Sequence, residues 1–198
     1  IAMKVLIATG SPRPHGNTNE LIKYLSDELR RGGAEVRRVD LHGLAIAPCL
    51  GCYRCQNVAG VYGCVQRDDM QSVVDEIVAA DVLVFATPIY TWQAAAPMKA
   101  MMDRMYGLNK FYGDAPRQVL NAGQRYALLA SCGYDPATYG ADLLSEGLRR
   151  WCEHSGLSYL GMYAVRDEDD LASFQTPEAE AGCRAFAARL LAAGPRRA

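Results

Sequence analysis

Cysteines Cys49, Cys52, Cys55 and Cys64 stand in one short window of this 198-residue sequence, spaced C-x2-C-x2-C-x8-C. Thiolates at i, i+3 and i+6, joined by a fourth from a following loop, can converge on a 4Fe–4S cluster. Zinc more usually draws two separated C-x2-C knuckles, and free cysteines also pack as small hydrophobes. Three readings stay open at this level: a cluster, reduced thiols without metal, or zinc or a redox disulfide. The remaining cysteines, Cys132, Cys152 and Cys183, lie outside the window.

A second concentration of polar chemistry is the stretch from Thr9 to Asn19, T-G-S-P-R-P-H-G-N-T-N. It has neither the G-x-G-x-x-G of a dinucleotide fold nor the G-K-[ST] of a P-loop, and no carboxylate for a phosphoacceptor site. It offers hydroxyls (Ser11, Thr18), amides (Asn17, Asn19), Arg13 and the backbone N–H groups of a starting helix. That set suits a terminal phosphate, because a helix start carries unsatisfied donors and partial positive charge. The plainer reading is a surface loop with Asn17 as N-cap. Two further segments bear on the choice: Pro88-Ile89-Tyr90-Thr91-Trp92-Gln93 and Cys132-Gly133-Tyr134-Asp135. A planar tricyclic ring needs an aromatic or apolar wall and backbone donors for its polar edge. Singly, Tyr90 or Trp92 reads as packing. Together at one sheet edge, polar then aromatic then Gly-Tyr, the three loops make a far stronger case for one ligand site.

The elements that must bring these loops together alternate. Met3–Ala8, Asp81–Thr87 and Arg125–Ser131 are short apolar runs, as strands covered on both faces require. Glu35–Asp40 is half-polar, like an edge strand, and Ser158–Val165 supplies a fifth strand. Helices are predicted over Asn17–Arg31, stopped by Gly32-Gly33, and over Met70–Ala80, capped by Asp68 or Asp69. Three more follow over Ala95–Met105, Ala137–His154 and Pro177–Ala193, the last with proline in its first turn. Leu41–Gln66 is irregular, and so long an unstructured stretch in a compact domain is more often functional than accidental. Alternation of this kind implies a parallel sheet with right-handed crossovers. One domain over residues 3–193 is expected, with residues 1–2 a remnant ahead of Met3 and 194–198 a frayed tail.

The formal net charge is −1, with 22% charged and 50% hydrophobic residues. That balance lacks the clustered excess of Lys and Arg that nucleic-acid binding needs. No apolar run approaches the about 18 residues of a membrane span. Without a secretory signal, an odd cysteine count points away from a disulfide framework, so a cytoplasmic address is expected.

T-G-S-P-R-P-H-G-N-T followed by T-P-I-Y-T-W-Q-A-A-A-P-M-K-A-M-M-D-R resembles the NADPH-dependent FMN reductase family of flavodoxin-like proteins. P-C-L-G-C-Y-R-C…C-V-Q-R-D-D-M further resembles its iron-sulfur flavoprotein branch. The resemblance implies an α/β fold, a doubly wound five-stranded parallel sheet of order 2-1-3-4-5 flanked by helices. It implies FMN phosphate on Ser11, Arg13, Gly16, Asn17 and Thr18, and the flavin ring between Pro88, Ile89, Tyr90, Thr91, Trp92 and Cys132, Gly133, Tyr134. Cys49, Cys52, Cys55 and Cys64 become cluster ligands on that view, and no side chain is named as acid or base because the flavin carries the chemistry. Electrons from NAD(P)H or a substrate would pass through flavin to a small organic acceptor or a partner. Alternatives are an iron-sulfur dehydrogenase of a small cyclic substrate and a flavodoxin-type electron carrier. Relatives suggest a homodimer or homotetramer.

Other residues read more plainly. Met98, Met101, Met102 and Met105 form one helical stripe, which suits core packing first and an interface second. Lys99, Asp103 and Arg104 read as structural or interfacial, since adjacent helix residues point apart. His154 ends a helix, where a cation is favoured. His15 lies near the phosphate loop, and His42 has no evident role.

Overall fold

The computed structural model describes residues 2–112 and 119–196. Its strands are β1 (Lys4–Thr9), β2 (Glu35–Asp40), β3 (Val82–Tyr90), β4 (Gln93–Ala94), β5 (Arg125–Cys132) and β6 (Ser158–Arg166). The helices are α1 (Asn17–Arg31), α2 (Met70–Ala79), α3 (Ala96–Arg104), α4 (Asp142–Ser155) and α5 (Pro177–Ala192). The sheet runs β2-β1-β3-β5-β6, with every neighbouring pair in that path parallel. Without β4, that is the expected order 2-1-3-4-5.

Alternation along the strands divides the core. Val5 and Ile7 of β1, Val82 and Val84 of β3, and Ala127 and Leu129 of β5 face α1 and α5. Leu6, Leu83, Phe85 and Leu128 face the opposite way, among residues of α2, α3 and α4. Successive strand side chains point to opposite faces, and both faces are covered, which is why these runs read as continuously apolar. β2 stands at the edge with no buried residue, matching its half-polar sequence. Met98, Met101 and Met105 are completely buried, while Met102 only packs against the core.

Three expectations are corrected, and the cap of α2 is decided between its two candidates. The sheet gains β4, which pairs antiparallel with the end of β3 through Ile89–Ala94 and Tyr90–Gln93. The reversal is made by Thr91 and Trp92, both at positive φ (48° and 60°); a two-residue hairpin turn of type I′ needs φ > 0 at both positions and usually shows Asn or Gly there. The fourth helix starts at Asp142 rather than Ala137, because Pro136–Gly140 forms a separate wide turn. Asp135 anchors that turn by accepting from Ala137 N at 3.1 Å and Thr138 N at 3.0 Å. At α2, Met70 N donates to Asp68 Oδ1 at 3.1 Å, while Asp69 turns back to accept from Ala45 N at 2.7 Å. The end of the chain is pinned as far as residue 196: Arg196 N donates to Asp81 Oδ1 at 2.9 Å, and Arg125 Nη1 to Gly194 O at 2.6 Å. Residues 197–198 of the expected frayed tail and residue 1 of the expected remnant lie outside the described residues.

Candidate functional site

The carboxyl ends of β1, β3, β5 and β6 open onto one edge of the sheet, where ligands bind in open α/β folds. After β1 the chain folds on itself before entering α1. Ser11 N donates to Thr9 Oγ1 at 3.2 Å, and Ser11 Oγ to Arg13 O at 3.3 Å. Asn19 is buried and donates its amide to Arg13 O while accepting from Arg38 Nη2 at 2.7 Å. Asn19 therefore shapes the loop instead of facing a ligand. α1 begins behind Gly16 with no side-chain cap, so its first N–H groups and the positive end of its dipole are left for an anion or water.

A pocket of about 200 Å³ lies over this loop. Ser11, Arg13, Gly16, Asn17 and Thr18 form one wall, Pro88, Ile89 and Tyr90 a second, and Cys132 and Gly133 a third. Three loops read separately in the sequence thus share one cavity. Thr91, Trp92 and Tyr134 lie outside its lining. Trp92 and Tyr134 stack with parallel rings, centroids 5.9 Å apart, and Tyr139 meets both edge-on. Trp92 Nε1 donates to Tyr139 O at 3.0 Å. Being next in sequence to Gly133, Tyr134 carries this aromatic group to the pocket's rim.

Ser131, Asp167 and Asp169 also line the pocket and were not singled out in the sequence. Thr18 Oγ1 and Ser131 Oγ share a buried hydrogen bond of 2.8 Å that ties the first turn of α1 to the end of β5. Asn17 Nδ2 donates to Asp167 Oδ2 at 2.7 Å, and Asp169 N to Asp167 Oδ1 at 2.9 Å. For the two aspartates a signal was available: D-E-D-D follows β6 directly, at the same carboxyl edge. Beneath the pocket, buried Thr87 donates to Pro88 O at 2.9 Å and accepts from Ala95 N at 3.0 Å, fixing both the second wall and the start of α3. Cys132 donates to Tyr134 O at 3.4 Å, and burial pushes its thiol up. It is therefore a poor thiolate.

Of the histidines, His15 and His42 are exposed. His154, in the last turn of α4, packs its ring 4.7 Å from Phe111.

The cysteine window forms a different cavity, of about 260 Å³, and all four of its cysteines line it. All are free thiols; Cys49 and Cys52 are exposed, Cys55 and Cys64 half-buried. Tyr53 and Gly51 turn the chain between them at positive φ (58° and 62°). Gly51 N donates to Cys49 Sγ at 3.4 Å, and Gln56 Nε2 to Cys55 Sγ at 3.8 Å. Buried Gln56 braces the window, donating to Asn109 O at 2.9 Å and accepting from Phe111 N at 2.7 Å. Arg104 forms part of the wall. It is 2% exposed and clamps Asp68 through Nη1 at 2.7 Å and Nη2 at 3.0 Å, which bears out its structural reading. Lys99 and Asp103 form a surface pair at 2.7 Å.

Donor chemistry tests whether this cavity suits the expected cluster. Among the described residues no three His, Cys, Asp or Glu side chains draw together as one metal ion requires. Four thiols around a shared space, two of them already accepting N–H groups, fit a larger polynuclear group in kind and number. Arg104 Nε is buried without an acceptor, a vacancy that an anionic group nearby would relieve.

The family description NADPH-dependent FMN reductase matches residues 3–168. An iron-sulfur flavoprotein of Archaeoglobus fulgidus is 30% identical over 149 residues, covering 75% of this chain and 64% of that protein. One from Methanocaldococcus jannaschii is 35% identical over 102 residues, covering 52% of this chain and 50% of its own. The chain thus spans between half and two thirds of the length of these relatives. The solved NAD(P)H:quinone oxidoreductase of Methanothermobacter marburgensis has the same fold, with TM-score 0.71 at 18% identity over 96% of this chain and 100% of that one. With its sheet-edge pocket and a match over most of its length, the chain belongs to the NADPH-dependent FMN reductase family.

Proposed function

We propose that residues 3–193 act as one FMN-binding unit of an oxidoreductase, in which NAD(P)H or a substrate reduces the flavin and a small organic acceptor or a partner protein reoxidises it. The observation that carries the reading is the single pocket shared by the β1–α1 loop and the ends of β3 and β5. Bound flavin supplies hydride and single-electron chemistry. The chain's own residues bind and orient it. Ser11, Thr18, the Arg13 guanidinium and the uncapped start of α1 are donors for a phosphate dianion. Asp167 holds Asn17 from behind, leaving the Asn17 carbonyl oxygen for a ribityl hydroxyl. Pro88, Ile89 and Tyr90 exclude water on one side, and the Trp92–Tyr134–Tyr139 group borders the open side, where an acceptor enters. Names of relatives support the class: iron-sulfur flavoproteins among sequences and a quinone oxidoreductase among structures.

A second reading joins the four-cysteine cavity to the first. Cys49, Cys52, Cys55 and Cys64 would hold a 4Fe–4S cluster, which supplies one-electron transfer when bound. The shared cavity supports it, as do the relatives' names. A homodimer or homotetramer is part of the proposal, supported by the exposed apolar side chains of Leu50, Tyr53, Val61 and Tyr112. A cytoplasmic address is supported by seven cysteines that are all free. No helix among the described residues is long and apolar enough to cross a membrane.

The test is an anaerobic preparation assayed for flavin, iron and acid-labile sulfide, then mixed with NADH or NADPH and a quinone. Stoichiometric FMN bleached by either nucleotide and recoloured by quinone is the expected result. Bound flavin that neither nucleotide reduces would remove the reductase reading and leave a carrier or a specialised dehydrogenase. Flavin without iron would remove the cluster.

A further inference from the structure

Beside the four-cysteine cavity lies a buried cation that the proposed redox chemistry has not used. Lys110 is 1% exposed. Its ammonium donates to Cys55 O at 2.6 Å, Gly107 O at 2.7 Å and Tyr62 O at 3.1 Å. Three carbonyl acceptors occupy all three N–H donors of the charged form, whereas a neutral amine has only two. The hydrogen bonds are satisfied, but the charge is not: among the described residues no carboxylate pairs with Lys110. A buried ion without a counter-ion is costly unless something pairs with it. Two of the three carbonyls belong to Cys55 and Gly107, which line the cavity.

Arg104, which does line the cavity, also has a buried donor left over. Its Nη atoms meet Asp68, yet Nε is buried without an acceptor. The Tyr62 hydroxyl donates to the Arg104 carbonyl at 2.9 Å. Among the described residues, the surroundings of the cavity thus hold a buried charge without a carboxylate partner and a buried donor without an acceptor. Four thiolates on an iron-sulfur core carry net negative charge, opposite in sign to Lys110.

We propose that Lys110 is the built-in counter-ion of the group held by Cys49, Cys52, Cys55 and Cys64, and that its charge raises that group's reduction potential. The inference rests on the cluster reading above. Reduction adds one electron from an external reductant, so the reduced form is one unit more negative than the oxidised form. A fixed cation nearby therefore favours the reduced form, and its removal makes reduction harder. Lys110 acts through charge and position and touches no substrate.

Anaerobically purified wild type, Lys110→Gln and Lys110→Arg test this by iron and sulfide content, circular dichroism, and dye-mediated dithionite titration followed by electron paramagnetic resonance. Lys110→Gln keeps two N–H donors for the carbonyls and loses the charge; Lys110→Arg keeps the charge. The expected result is about a tenfold fall in the reduced-to-oxidised ratio at a fixed poise for Lys110→Gln, a shift of about 59 mV for one electron. Lys110→Arg should stay within a third of that shift. Loss of iron in Lys110→Gln alone, with native circular dichroism and FMN content, also supports the charge. Equal shifts in both variants, an unshifted Lys110→Gln, or loss of iron in both overturns the counter-ion role. A wild type with FMN and no iron overturns the cluster reading and this inference with it.

Discussion

Replacing Asp68 by alanine should cost more stability than its surface position suggests. Its carboxylate accepts from Arg104 Nη1 at 2.7 Å and Nη2 at 3.0 Å, and from Ala47 N and Met70 N, each at 3.1 Å. The Arg104 side chain is 1% exposed, against 14% for Asp68. Alanine therefore strands a buried guanidinium whose remaining acceptor among the described residues is Ala47 O, at 2.9 Å. Breaking one side of a buried pair costs about 3–5 kcal/mol. For a chain of this size that is a fall in Tm of about 6–20 °C, at about 2–4 °C per kcal/mol. Arg104 first, then the backbone donors of Ala47 and Met70, hold the Asp68 carboxyl below the usual range against the opposing effect of burial. A lowered folded-state pKa gives stability that is present above the unfolded value, about 3.9, and is lost as pH falls through the folded one. The gap between wild type and Asp68→Ala should thus be full at pH 7 and shrink in acid. Urea unfolding at pH 7 and pH 3.5 measures it, and hydrogen exchange should show the loss concentrated near Ala47, where the cysteine window begins. A variant within about 1 kcal/mol of wild type at pH 7, or a gap that widens in acid, would refute the argument.

Three further outcomes follow from the same geometry. Arg13→Ala should weaken FMN binding about tenfold, the value of one exposed charge-assisted hydrogen bond, and leave riboflavin binding unchanged; fluorescence titration with both ligands reads the difference. Gly10→Val should destabilise by about 1–3 kcal/mol through overpacking, because even a Cβ there would sit 2.8 Å from Met98 Cβ; thermal unfolding checks it. In the metal-free folded chain at pH 8, iodoacetamide should label exposed Cys49 and Cys52 and spare Cys152 and Cys183, whose thiols burial pushes up to about 12. Mass spectrometry of the labelled peptides decides, and early labelling of either buried residue would contradict the packing described.

What the sequence made legible follows from where its information is local. The strands were readable because both faces of the sheet are covered, so Val5 to Ala8 and Val82 to Ala86 leave no polar gap. α1 was readable at both ends, since its apolar stripe is regular and Gly32-Gly33 stops it. The ten pocket residues from the first three loops were readable as a set because topology, not local propensity, brings strand ends together. The misses have the opposite character. Thr91 and Trp92 take a turn conformation that their types disfavour, so pairing with the end of β3, Trp92's bond to Tyr139 and its stack on Tyr134 must enforce it. Asp167 and Asp169 were not singled out in the sequence; the folded chain brings them to the pocket, where Asn17, 150 positions away in sequence, bonds the first of them. Lys110 is the extreme case. In sequence it is one lysine inside the aromatic stretch Tyr106–Tyr112, and only the carbonyls of Cys55, Tyr62 and Gly107 show that its charge is buried beside the four-cysteine cavity. Residues whose role is set by distant backbone atoms carry no local pattern, and an unbalanced charge or donor in the folded chain is the physical mark by which they are found.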